Sequence, residues 1–146
     1  MLDKTRIGMT LPLFSRTAEA GQLRFFAKAT GETNAIYFDE ATARAAGHPG
    51  LPLPPTFLLS LEITRPSSEW RREIGMDPAR VLHGEQSFTY HRTAYAGDEL
   101  CFESRIADIY DKKDGALDFL VRETRVTNQR GEHVADLRSV TVQRNR

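Results

Sequence analysis

One cysteine, one tryptophan, no charge excess and no long apolar run narrow the chemistry of this 146-residue chain from the outset. Cys101, being alone, excludes an intrachain disulfide and any cysteine-rich metal site. Flanked by Leu100 and Phe102, it reads as a small core or sheet residue rather than a nucleophile. No stretch approaches the roughly 18 apolar residues needed to cross a membrane. Met1 to Arg6 shows no signal-peptide pattern, so the expected compartment is the cytoplasm. Twenty basic residues balance twenty acidic ones, which removes the electrostatic reason to expect nucleic acid or an anionic membrane as partner. Glycine-rich dinucleotide and phosphate loops are missing, as is a nucleophile elbow, so no cofactor is expected. The histidines His48, His83, His91 and His133 show no HxxxH-type spacing, and no metal site is expected either.

What is present suits one soluble domain over residues 1–146, with 40% apolar and 27% charged residues and enough length for a real core. From Thr17 to Ala29, Ala20, Leu23, Phe26 and Ala27 recur at helical spacing, predicting an amphipathic helix ended near Gly31. A short helix is expected after Asp39, whose carboxylate caps it, with Gly47 as the stop. The run Pro49 to Pro55 is extended, because helix does not propagate through it. Pro55 then suits the first turn of a helix over Thr56 to Thr64, apolar on nearly every side and therefore buried under a sheet. Alternation predicts strands over Leu82 to His91, Glu99 to Tyr110, Ala116 to Thr127 and His133 to Gln143. Lys113-Asp114-Gly115 and Asn128 to Gly131 mark turns. Short connections favour antiparallel pairing, giving an α+β domain in which an antiparallel sheet wraps a buried helix.

Three segments carry a family resemblance. The loop Ala29 to Asp39 resembles the signature Ser/Thr-Gly-Asp-x-Asn-Pro-x-His-x-Asp of the MaoC-like (R)-specific enoyl-CoA hydratases and 3-hydroxyacyl dehydratases. Pro54-Pro55-Thr56-Phe57 resembles the entry to that family's central helix. Phe88 to Arg92 with Ala96 to Leu100 resembles its following strand and turn. The nearest likeness is to the N-terminal-type (FAS1-like dehydratase) domains, including separate subunits of heterodimeric fatty-acyl dehydratases. The resemblance implies a hot-dog fold, a tunnel for an acyl thioester of CoA or acyl-carrier protein, and a homodimer or a heterodimer with a second hot-dog subunit.

Hydration of a 2-enoyl thioester requires donors on the carbonyl oxygen, a base that activates water and a proton for the α-carbon. The resemblance places the oxygen near the amides of Thr56 or Phe57, with Ser60 as a wall and Asn34 in the substrate-binding loop. It also places Glu32 where the family carries its Asp and Tyr37 where it carries its His, with Ala35 replacing the Pro between. Glutamate keeps the carboxylate but extends it by a methylene. Tyrosine, with a reference pKa of about 10, is a donor and a poor base near neutrality. Three readings follow: a partner subunit with a degenerate site, a self-sufficient hydratase using Glu32 and Tyr37, and a hot-dog thioesterase or non-catalytic acyl-thioester-binding protein. Glu62, on the central helix, is the residue behind the thioesterase reading. His48 reads as exposed, and His83 matters if the fold brings it to Glu32.

Overall fold

The computed structural model describes residues 1–66 and 68–145. Five strands form one antiparallel sheet: β1 (Phe14–Thr17), β2 (Val81–Tyr90), β3 (Glu99–Lys112), β4 (Leu117–Thr127) and β5 (His133–Arg144), in the order β1-β3-β4-β5-β2. The four long strands coincide with the predicted segments to within two residues at either end. Alternation is what makes them strands: along β4 and β5 successive side chains fall on a packed and an open face.

Among the described residues four α-helices accompany the sheet: α1 (Ala20–Ala29), α2 (Glu40–Ala45), α3 (Phe57–Glu62) and α4 (Glu69–Glu73). Asp39 caps α2 as expected, its carboxylate accepting from the Thr42 amide at 2.7 Å. Three expectations need correction. The first helix begins at Ala20 rather than Thr17, because Thr17 closes a strand, Phe14 to Thr17, that pairs with Phe102 to Glu99 of β3. Pro55 lies in the turn before α3, since Thr56 takes a left-handed backbone (φ 70°) that no helix can include. The central helix is buried as expected but shorter: Phe57, Leu58, Leu61 and Glu62 are buried, whereas Ile63, placed within the predicted helix, lies just beyond its end and is 68% exposed. The short helix α4 has too little periodicity to be read from sequence, yet it buries Trp70.

Two apolar clusters make the core. Leu23 of α1 and Phe57, Leu58 and Leu61 of α3 pack on Leu100, Phe102, Val126 and Leu137 of the sheet. Leu2, Leu11, Trp70 and Ile74 cover Ile106, Ile109 and Leu120. Polar side chains join α3 to β3 and β4. Glu62 is buried, accepts a hydrogen bond from the Thr124 hydroxyl and lies 3.2 Å from the Arg122 guanidinium, while Thr124 meets Ser104 at 2.7 Å. Among the described residues, no helix is long and apolar enough to cross a membrane.

Candidate active site

The loop between α1 and α2 is shaped by its own side chains. One Glu32 carboxylate oxygen accepts from the amides of Thr33 (2.8 Å) and Asn34 (2.9 Å), closing a turn on itself. The Asn34 side chain accepts from the Ile36 amide at 3.2 Å and caps a short 3₁₀ turn over Ala35–Tyr37. Arg24 of α1 holds the far end by donating to the Phe38 carbonyl at 2.9 Å. That turn carries Ile36 and Tyr37 to the wall of a cavity of about 400 Å³. Pro52, Leu53, Leu58 and Val134 give the cavity apolar surface; Tyr37, His48, Tyr90, His91, Arg92 and Thr93 supply its polar groups. The volume suits a small-molecule segment, and the lining combines apolar surface with convergent polar groups as ligand pockets do.

Tyr37 sits in a setting that keeps it protonated. Burial pushes its phenol above the ordinary value, and the negative charge of Glu32 and then Tyr90 push the same way. Tyr90, from the end of β2, turns its hydroxyl to the Thr56 amide, which donates to it at 2.9 Å. The Phe57 amide donates to the Pro54 carbonyl at 3.2 Å. Both amides expected to face a thioester oxygen therefore already have partners. Thr56, Phe57, Ser60, Glu32 and Asn34 do not belong to the cavity lining, whereas Tyr37 does.

A match to the family model of the FAS1-like, dehydratase domain region extends over residues 6–137, which is most of the chain. The chain belongs to this family. A UPF0336 protein of Streptomyces coelicolor is 36% identical over 136 residues, 91% of this chain and 89% of that one. Among solved structures, the HadBC (3R-hydroxyacyl-ACP dehydratase) complex of Mycobacterium tuberculosis contains a chain that superposes with a TM-score of 0.80. It is 25% identical and covers 94% of this chain and 96% of its own. A MaoC-like dehydratase superposes with a TM-score of 0.85 at 22% identity, over 96% of this chain and 42% of that one, which shows a shared fold. The antiparallel five-stranded sheet with its packed helix is thus the hot-dog fold.

Within this FAS1-like dehydratase family member, the residues singled out from sequence separate. Tyr37 reaches the cavity, and Glu32 stays within its own turn. Glu62 is buried in its pairing with Arg122 and Thr124 and is not part of the cavity, which removes the observation behind a thioesterase reading. His83 lies near the opposite end of β2 from Tyr90, opposite Thr141, so the strand carries it away from the Tyr37 end. The residues that sequence reading missed are His48, Tyr90 and His91. His48 is half-buried, with Nδ1 3.3 Å from the Tyr95 hydroxyl, rather than exposed in its loop. Its signal was the Gly47-His48-Pro49 break that turns the chain back toward the strand end. Tyr90 and His91 were visible only as the end of a strand.

Proposed function

We propose that this chain is an acyl-thioester-binding subunit of a hot-dog hydratase/dehydratase, acting on 2-enoyl or (3R)-hydroxyacyl thioesters of CoA or acyl-carrier protein beside a second hot-dog subunit that supplies the Asp/His pair. The carrying observation is the loop geometry. One oxygen of its carboxylate is held by two backbone amides away from the cavity lining, and its second polar residue is a phenol held protonated by burial. A water-activating base has to present an acceptor to the substrate; Glu32 does not line the cavity, and Tyr37 lines it as a donor. What the chain retains is a cavity of about 400 Å³ with apolar surface and donors on its wall.

Association through sheets supports the subunit reading. β2 is a ten-residue strand on the sheet edge, largely exposed, and such an edge is normally covered or paired. The similar chain in HadBC is part of a complex. Calorimetric titration with crotonyl-CoA tests the binding claim. Wild type binds, and Thr93→Trp, which fills the cavity from an exposed lining position, weakens binding about tenfold, equivalent to about 1.4 kcal/mol. Equal affinity in the two proteins, or no binding by the wild type, rejects this cavity as the acyl site.

A further inference from the structure

A bulge at the start of β5 gathers three metal-ligating side chains next to the cavity. Val126 pairs with Ala135 and Thr127 with His133, which leaves Val134 as an extra residue. Val134 and Ala135 are both buried, so the alternation skips a beat and His133 and Asp136 emerge together on the open side. The carbonyl of the bulged Val134 accepts from the amides of His91 (2.9 Å) and Arg92 (3.1 Å), which pins the residue that follows β2 beside them. The result is an imidazole pair over one carboxylate. His91 Nε2 lies 2.7 Å from Asp136 Oδ2, and His133 Nε2 lies 2.8 Å from Asp136 Oδ1.

We propose that His91, His133 and Asp136 form a binding site for a divalent transition-metal ion, Zn²⁺ in the first instance, that clamps the end of β2 to β5 at the mouth of the cavity. The three ligand atoms lie within 4.8 Å of one another, so modest tightening brings them to the roughly 2.0–2.2 Å metal bonds of a tetrahedral site. Two imidazoles and one carboxylate are a donor set that suits zinc, and three protein ligands leave one position open. The imidazole rings lie 4.2 Å apart between centroids, so both side chains approach the same carboxylate from one side. Of the neighbouring guanidinium groups, Arg92 and Arg130 both pair with Glu132, at 3.4 and 2.8 Å, and Arg125 stands opposite Asp136 in the strand register. On binding, each imidazole turns its Nε2 lone pair to the metal and keeps its remaining proton on Nδ1.

Titrating the purified, chelator-treated chain with Zn²⁺ by calorimetry, and with Co²⁺ by visible absorption, tests the site. The expected result is one Zn²⁺ per chain, Co²⁺ bands of a four-coordinate site and a higher Tm with metal. In His133→Ala and Asp136→Asn the affinity falls by more than tenfold, since even outer-shell changes cost about 10–100-fold. His83→Ala, which alters a histidine outside the cluster, keeps wild-type affinity. Melting each variant in chelator establishes that it is folded. No zinc bound by the wild type, or equal affinity in folded His133→Ala, overturns the proposal.

Discussion

Tyr37 and Glu62 are each governed by what surrounds them, and each gives a measurable consequence. Because the Tyr37 phenol is pushed above its ordinary value, the folded chain favours the protonated form more than the unfolded chain does. Its contribution to stability is complete below the unfolded pKa of about 10 and is lost as pH rises through the higher folded value. Urea midpoints recorded from pH 8 to 11 therefore fall more gently above pH 10 in Tyr37→Phe than in wild type; parallel profiles would mean the phenol is not perturbed. Glu62 is paired with Arg122 inside the protein, and deleting one partner leaves the other charge uncompensated. Glu62→Ala is expected to lose about 3 kcal/mol of unfolding free energy. A loss below about 0.5 kcal/mol would place Glu62 at a solvated surface. Residue types alone could not reveal this role, since an acid near a helix end looks the same whether it meets water or a guanidinium from another strand.

At the level of elements, β2 depends on one glycine. Its register with β5 shifts between His83 and Glu85, and a Cβ on Gly84 would sit 2.9 Å from Val142 Cγ2 and 3.0 Å from the Val140 carbonyl oxygen. The valine methyl can move, but the backbone oxygen cannot without breaking the strand pair. Gly84→Ala should cost about 1–3 kcal/mol, with faster amide exchange confined to β2 and β5. Unchanged stability would show that the two strands separate there without cost. The long strands were legible because period-two alternation over ten or more residues has no helical counterpart. The strand β1 and the helix α4 were not. Four residues carry too few periods, and Phe14 to Thr17 become a strand only because β3 extends far enough to receive them. The left-handed Thr56 that delays α3 was likewise hidden, since threonine gives no warning of a positive φ.

For the whole molecule, the family and the hot-dog architecture were readable from three motifs in chain order, while the composition of the cavity was not. The signature loop showed which residue types replace the Asp and His, but only the folded chain shows Glu32 closing its own turn and Tyr90 taking the Thr56 amide. His91 and Asp136 stand 45 positions apart, and a bulge that no local pattern announces brings them together. In the proposed function this chain binds the thioester and leaves the proton chemistry to a partner. The most direct measurement is the loss of enoyl absorbance from crotonyl-CoA, followed with the purified chain alone and with a thiol reagent in parallel. The expected result is no hydration and no thiol release from a folded chain that binds the thioester. Hydration by the chain alone that disappears in Glu32→Ala would contradict it, and would make Glu32 the base of a self-sufficient hydratase.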